Sequence, residues 1–263
     1  MGELTVRSEQ RCHGGTMGFY SHASTSTARL PVLYYLAGLT CTEETFMIKA
    51  GAQRFAAAAG IILVAPDTSP RGIELPGDRE HWDFGVGAGF YVDATESPWA
   101  PHYRMYSYVV DELPAIIEAR FQASGQRGIF GHSMGGHGAL VIALRNPGRY
   151  QSVSAFAPIG HPMAAPWGEK AFSRYLGSDR TRWEAYDASV LLRRAPAGRE
   201  ILVDQGLDDQ FLDRELRPAE LEAAAAGHHL TLRRHAGYDH SYWFIQTFIA
   251  DHLAWHRERL RDR

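Results

Sequence analysis

The sequence predicts an α/β fold, a mostly parallel central sheet with helices on both faces. Short apolar runs such as 31–36 (PVLYYL) and 61–65 (IILVA) have the length and composition of buried strands. Segments with helical periodicity separate such runs, and no linker-like composition divides the chain. We therefore predict a single domain over residues 1–263, with any active site at the carboxyl ends of the strands.

The predicted elements alternate along the chain. After strand 31–36, residues 44–59 have the pattern of an amphipathic helix that ends at Gly60, and strand 61–65 stops at Pro66. Residues 67–101, rich in Gly, Pro and aromatics, predict a long irregular connection. The remaining predictions are a helix over 103–121 interrupted at Pro114, strand 127–130, helix 134–145, strand 152–156, an excursion of short helices over 158–198 that could form a small cap, strand 201–203, helix 214–226, strand 229–233 and helix 241–260.

Composition excludes several classes of function. The net charge of −3 comes from interspersed acidic and basic residues, which argues against a nucleic-acid or anionic-membrane partner. Two cysteines, Cys12 and Cys41, are too few for a disulfide framework. No apolar stretch has the pattern of a signal peptide or the length of a membrane span, so we expect a soluble, cytoplasmic protein.

A G-x-S-x-G pattern at 131–135 singles out Ser133. Gly131 follows a predicted strand and Gly135 opens a predicted helix, the setting in which a nucleophile elbow forms. Small residues are needed there because the turn is sharp and strained. Two glycines around a serine also occur in ordinary turns, but the strand–turn–helix context favours a catalytic nucleophile.

A serine hydroxyl needs a neighbouring base, and in folds with this elbow the partners follow in the order Ser, acid, His. His240 lies after the last predicted strand and before the last helix, which makes it the best base, with His235 as runner-up. The acid should follow strand 201–203. Spacing alone leaves Asp208 and Asp209 equivalent; Asp204 is still at the strand end and Asp213 falls in the next helix.

Two backbone N–H groups should receive the negative charge of the tetrahedral intermediate. One is that of Met134, which follows the nucleophile, and we assign the other to Leu39 in the loop after strand 31–36. His252 and His256 have a zinc-compatible spacing, but no third ligand is evident, and we predict no metal.

With these residues assembled, the sequence closely resembles the S-formylglutathione hydrolases, the esterase D family. The matching segments extend from about residue 31 to the C-terminus and include AGLTCTEETF, APDTSPRG, WDFGVGAGFYVDAT, FGHSMGGHGAL, DQGLDDQFL and GYDHSYWFI. The resemblance implies an α/β-hydrolase fold and hydrolysis of the thioester S-formylglutathione to formate and glutathione in formaldehyde detoxification. It also implies side activity on short-chain esters, a cytoplasmic location, no cofactor and a homodimer.

The resemblance also implies roles for individual residues. Ser133, His240 and Asp209 correspond to the catalytic triad, which settles the choice between Asp208 and Asp209. Cys41 lies where the family has a cysteine whose modification could inhibit the enzyme. Three tryptophans in matched segments, Trp82, Trp99 and Trp167, could line a pocket, although packing is the commoner role of such residues.

One segment departs from the family. Residues 21–29 are short and polar where the family has a strand and a Leu-Pro-Pro-like turn, so we expect an edge strand to be missing or replaced by a loop. Two other functions stay open: a general short-chain carboxylesterase, and a non-catalytic binding module. The second is disfavoured because both the serine and the histidine are present.

Overall fold

A single sheet organises the protein. The computed structural model describes residues 2–7, 16–21 and 29–260. The strands of this part are β1 Gly2–Arg7, β2 Thr16–Ser21, β3 Leu30–Leu36, β4 Ile62–Pro66, β5 Ala123–His132, β6 Ser152–Phe156, β7 Glu200–Gly206 and β8 His229–His235. Their spatial order is β1-β2-β4-β3-β5-β6-β7-β8. The six strands from β4 to β8 are parallel, whereas β1 and β2 pair antiparallel at one edge, which gives the architecture of an α/β-hydrolase.

Helices connect the strands. They are α1 Glu43–Lys49, α2 Gln53–Ala59, α3 Met105–Ser107, α4 Leu113–Arg120, α5 Met134–Arg145, α6 Pro166–Tyr175, α7 Arg180–Trp183, α8 Ala188–Arg194, α9 Pro218–Ala224 and α10 Tyr242–Arg259. Short 3₁₀ segments cover Pro162–Ala164 and Glu184–Tyr186, and π-helical turns cover Tyr108–Glu112 and Leu212–Leu216. No described helix is long and apolar enough to cross a membrane.

Three predicted helices are divided in the structure. The prediction of one helix over 44–59 is wrong because Gly51 adopts φ 62°, a left-handed conformation that ends α1 and separates it from α2. In the second, the π-helical turn Tyr108–Glu112 separates α3 from α4, and Pro114 is the second residue of α4. In the third, Arg217 has φ 52° directly before Pro218, so α9 begins later than predicted.

One edge of the sheet is formed by residues that precede the polar segment 21–29. Strand β2 pairs with β4 from Met17 opposite Pro66 to Tyr20 opposite Leu63. These pairing residues do not belong to the polar segment, so the expectation that an edge strand is missing or replaced there stays a prediction. Residues 22–28 of the polar segment lie outside the described part of the chain.

The core lies against the middle of the sheet. Residues 32–36 of β3 are buried, and so are all residues of α5 from Met134 to Ala143. Because β5 ends at His132 and α5 begins at Met134, Ser133 is fixed between two fully packed elements at the carboxyl end of the sheet. The irregular connection predicted over 67–101 holds no helix or strand. Its residues take part in two isolated β-bridges, Gly85 with Ala88 and Asp93 with Arg104.

Candidate active site

Ser133 occupies a strained turn. Its backbone has φ 57° and ψ −120°, which a non-glycine residue adopts only when its surroundings enforce it. The surroundings here are close: a Cβ on Gly131 would lie 2.3 Å from the Gly135 carbonyl oxygen, and one on Gly135 would lie 1.9 Å from the Leu36 carbonyl oxygen. Both positions therefore require glycine, and the tight strand–turn–helix predicted from the sequence is the geometry observed.

His240 is held by a carboxylate. Its Nδ1 lies 2.5 Å from Oδ2 of Asp209. An ionised carboxylate only accepts hydrogen bonds, so Nδ1 is the donor and Nε2 is left to serve as a base. The backbone N–H of Phe211 donates to the other oxygen, Oδ1, at 2.9 Å. The Asp209 side chain is sealed from solvent, whereas His240 remains partly accessible, so the acid is fixed and the base can reach a ligand.

The other candidate partners lie elsewhere. Asp208 and Asp213 are exposed, and none of the hydrogen bonds of their side chains reaches His240. Asp204 is buried in a different ion pair, at 2.5 Å from Nε of Arg233. His235, the runner-up base, stacks on Phe248 with ring centroids 3.9 Å apart and does not border the cavity that contains Ser133. The structure thus brings His240 and Asp209 together and leaves the alternatives apart.

A cavity of about 740 Å³ opens above these residues. Ser133 and His240 both line it, and most of its remaining wall is apolar. Trp82, Trp167 and Phe211 form one side, in contact through rings whose centroids are 5.5 Å and 4.7 Å apart, and Phe211 in turn lies 5.1 Å from the His240 ring. This aromatic wall gives the site a water-poor side on which an organic ligand can rest.

The loop after β3 approaches the nucleophile closely. A Cβ on Gly38 would lie 3.2 Å from Cβ of Ser133, so only glycine lets this backbone come so near. The loop is held by bonds from Thr40 N–H to the Gly87 carbonyl (2.9 Å) and from Cys41 N–H to the Gly38 carbonyl (3.3 Å). Within the described residues, the N–H of Leu39 between them has no protein acceptor.

Met134 supplies a second unsatisfied donor. As the first residue of α5, it has one of the N–H groups that no carbonyl within the helix can accept. The positive end of the helix dipole adds to its preference for negative charge. Met134 directly follows Ser133 and Leu39 borders the same cavity, and neither N–H has a protein acceptor among the described residues; their role as an oxyanion hole stays a prediction.

Cys41 and two of the three predicted tryptophans border the cavity. Burial raises the pKa of the Cys41 thiol, although hydrogen bonds from Tyr242 and Thr45 and the charge of Lys49 partly offset the rise. The thiol is thus protonated at neutral pH and a weaker nucleophile than a free cysteine. Its modulatory role stays a prediction.

The prediction for Trp99 is wrong. Trp99 is buried among Phe84, Tyr103 and Tyr175, with ring centroids 4.9 to 5.6 Å apart, and it does not reach the cavity. Trp99 lies near the end of the irregular connection 67–101, where its ring packs into the core.

His132 lies under the base. Its ring centroid is 4.4 Å from that of His240, and neither ring nitrogen has a hydrogen-bond partner among the described residues. Burial, together with the charge of His240, lowers the pKa of His132 well below its usual value. His132 therefore stays neutral. His137, also near the elbow, is packed between Phe90 and Phe172, and burial lowers its pKa to about 4.

Sequence reasoning missed several residues of the cavity wall. Phe211 follows Asp209 by two positions, and Tyr242 and Trp243 follow His240 by two and three positions, so proximity to the motifs could have indicated them. Four residues from α1 and α10 carried no signal, because only the packing of these helices brings them to the site: Thr45, Ile48, Lys49 and Gln246.

No metal centre is formed in the described part of the chain: no three His, Cys, Asp or Glu side chains are placed to share an ion. His252 and His256 are buried side by side on α10, and each bonds Ser154 at 2.8 Å.

Comparison with known proteins agrees with this geometry. The family model of putative esterases matches residues 13–255. The chain belongs to the putative esterase family. This esterase is 51% identical to the S-formylglutathione hydrolase of Paracoccus denitrificans, with 96% of the chain and 97% of the relative covered. It is 48% identical to the rat enzyme of the same name, with 98% and 99% covered.

A solved structure extends the likeness to three dimensions. The esterase superimposes on an S-formylglutathione hydrolase from Agrobacterium tumefaciens with a TM-score of 0.88 and 48% identity, over 99% of this chain and 100% of the other. The α/β-hydrolase fold is therefore shown, and the esterase is a hydrolase that acts on a small-molecule substrate.

Proposed function

We propose that this esterase hydrolyses S-formylglutathione to formate and glutathione, with Ser133, His240 and Asp209 as its catalytic triad. The observation that carries the proposal is the strained Ser133 in the wall of a cavity that it shares with an Asp209-bound His240. The names of relatives at 48–51% identity support this thioester as the substrate.

The first half-reaction transfers the formyl group to the enzyme. Nε2 of His240 takes the proton of Ser133 as the hydroxyl oxygen attacks the formyl carbon. The N–H groups of Leu39 and Met134 stabilise the oxyanion that forms. The C–S bond then breaks, and the proton held by His240 passes to the departing sulfur, so that glutathione leaves as a thiol.

The second half-reaction reverses these roles. His240 removes a proton from a water molecule as the water oxygen attacks the carbonyl carbon of the formyl-serine. Collapse of the second tetrahedral intermediate releases formate, and His240 returns the proton to the oxygen of Ser133. Asp209 stabilises the imidazolium that forms in both halves. His132 helps by staying neutral, since a second positive charge 4.4 Å from the His240 ring would oppose that imidazolium.

Hydrolysis of short-chain esters is the second candidate function. The oxyanion donors and the triad act on the carbonyl group, so they accept an alcohol as well as a thiol leaving group. The mostly apolar cavity wall also suits an aryl or alkyl alcohol. A non-catalytic binding role is disfavoured by the intact strained serine and oriented histidine.

The test is a comparison of substrates on the purified protein. We expect kcat/KM for S-formylglutathione to exceed that for 4-nitrophenyl acetate by at least a hundredfold, with Ser133→Ala inactive on both. Equal or lower efficiency on the thioester would support the general carboxylesterase. Activity of Ser133→Ala on either substrate would overturn the mechanism.

Two further expectations belong to this proposal. The resemblance implies a homodimer and a cytoplasmic place in formaldehyde detoxification. Sedimentation equilibrium of the purified chain checks the first, and formaldehyde sensitivity of a host strain that lacks the gene checks the second.

A further inference from the structure

The cavity has an uneven distribution of charge. No described aspartate or glutamate lines it, and its one permanently cationic side chain is that of Lys49, at the end of α1. The histidines in the wall do not add a positive charge in the resting site, since His132 is held neutral and His240 must be neutral to act as a base. A ligand in this cavity therefore meets a single positive pole.

The ammonium of Lys49 has no partner of its own. No described acidic side chain pairs with it, whereas Lys170, the other lysine of the chain, lies 2.7 Å from Asp83. Nζ of Lys49 lies 5.8 Å from the centroid of the Tyr242 ring, which borders the same cavity, and its charge acts on the thiol of Cys41 in the loop beside Ser133. The charge is thus directed to the cavity and stays free for a ligand.

A neighbouring cavity offers no such pole. It lies on the far side of Trp82 and Trp167 and is about 460 Å³ in volume. Two bases and two acids line it, so their charges balance: Lys170, Arg214, Asp83 and Glu215. An anionic group of a ligand bound at Ser133 is therefore drawn toward Lys49 and not across the tryptophans.

The proposed substrate has a matching charge. S-formylglutathione carries two carboxylates and one ammonium near neutral pH, and all three lie on the leaving group. We propose that Lys49 is a specificity-determining residue that binds a carboxylate of the glutathionyl leaving group, with the side-chain amide of Gln246 on the same wall as a second donor. This inference rests on the proposed function and adds to it the part of the site that distinguishes glutathione from a neutral thiol.

The experiment pairs a charged with a neutral substrate of the same acyl group. Kinetics of Lys49→Gln are measured on S-formylglutathione and on S-formyl-N-acetylcysteamine, which has no carboxylate. We expect KM for S-formylglutathione to rise about 3- to 10-fold with kcat within twofold, as fits an ion pair at an exposed lysine, and less at 0.5 M salt. The neutral thioester should be hydrolysed at the wild-type rate, and Lys49→Arg should restore most of the loss.

Arg54→Gln is the matched control. It removes one exposed positive charge from α2, next to α1 but outside the cavity, and should leave both substrates unaffected. An unchanged KM for S-formylglutathione in Lys49→Gln, or an equal loss on both substrates, would overturn the inference. Failure of the proposed function would be recognised separately, because the wild-type protein itself would then be inactive on S-formylglutathione.

Discussion

The described residues contain two sets of serine, histidine and aspartate side chains, and only the first set borders the large cavity. In the first, Ser133 and His240 line the same cavity, and Nδ1 of His240 lies 2.5 Å from Oδ2 of Asp209. In the second, Oγ of Ser154 lies 2.8 Å from Nδ1 of His252, whose Nε2 lies 3.3 Å from Oδ2 of Asp204. Judged by residue types and distances alone, the second arrangement is a triad as well.

The difference lies in the backbone and in access. Ser154, His252 and Asp204 are all 0% exposed, so no substrate or water molecule from the solvent reaches the serine. Ser154 lies within the regular strand β6, whose N–H and C=O groups are taken by pairing with β5 and β7, so no free donor is present to stabilise an oxyanion. At Ser133, by contrast, the N–H of Met134 and that of Leu39 in the neighbouring loop have no protein acceptor among the described residues.

The second set, formed by Ser154, His252 and Asp204, has a structural role. Ser154 also bonds His256, whose other ring nitrogen lies 2.6 Å from Oγ of Ser152. Asp204 accepts two hydrogen bonds from Arg233. Such a network satisfies polar groups inside the core and ties α10 to the sheet. The comparison teaches that a triad is defined by a strained, accessible nucleophile with oxyanion donors, and not by the hydrogen-bonded series itself.

The sharpest test replaces the two serines in turn. Ser133→Ala should lower kcat about 10⁵-fold, which corresponds to about 7 kcal/mol of transition-state stabilisation, because the variant lacks the hydroxyl oxygen that attacks the formyl carbon. Ser154→Ala should keep kcat within about threefold once it is folded. The measurement is single-substrate kinetics at 20 °C, with circular dichroism to show that both variants are folded. Loss of activity in Ser154→Ala with an intact fold would break the distinction.

A second test concerns the acid. Asp209→Asn should lower kcat about 10³- to 10⁴-fold, because an amide no longer selects the tautomer in which Nδ1 of His240 carries the proton. Its neighbour Asp208 is exposed, so Asp208→Asn is a matched control that should stay within twofold of the wild type. The measurement is kcat of both variants on one substrate. A loss in Asp208→Asn with normal activity in Asp209→Asn would assign the acid to Asp208.

The sequence was informative where local chemistry determines structure. The glycines around Ser133 predict the elbow, and the chain order predicts His240 and a choice of two acids. It could not separate Asp208 from Asp209 without the family resemblance, because adjacent residues differ only in which way the turn points them. It could not reveal Lys49 or Gln246, which reach the cavity only through the packing of α1 and α10. The family resemblance also misled at Trp99, because the burial of its ring depends on distant partners.

The last test concerns the second set, Ser154, His252 and Asp204, and its expected effect is smaller than those at Ser133 and Asp209. Burial alone would raise the pKa of Asp204, but hydrogen bonds from His252 and Arg233 outweigh it and lower the pKa to about 2. Asp204→Asn removes the buried carboxylate and leaves Arg233 with the exposed Asp251 alone, and removal of one member of a buried pair costs about 3–5 kcal/mol. Urea unfolding at pH 7 should show this loss. Asp251→Asn, which removes the exposed partner of the same Arg233, should cost less than about 1 kcal/mol.

The loss should also depend on pH. The pKa of Asp204 is depressed in the folded state, so its ionisation stabilises the protein above the unfolded pKa of about 4, and this stabilisation falls as the pH drops toward about 2. The difference in unfolding free energy between wild type and Asp204→Asn should therefore be full at pH 7 and should narrow below about pH 4. A difference that stays constant down to pH 3 would show that Asp204 contributes by shape and hydrogen bonding, and not by its charge. In that case, Asp204 would act in the second set as a neutral packing group. It would then differ in electrostatics from Asp209, whose negative charge is proposed to stabilise the His240 imidazolium.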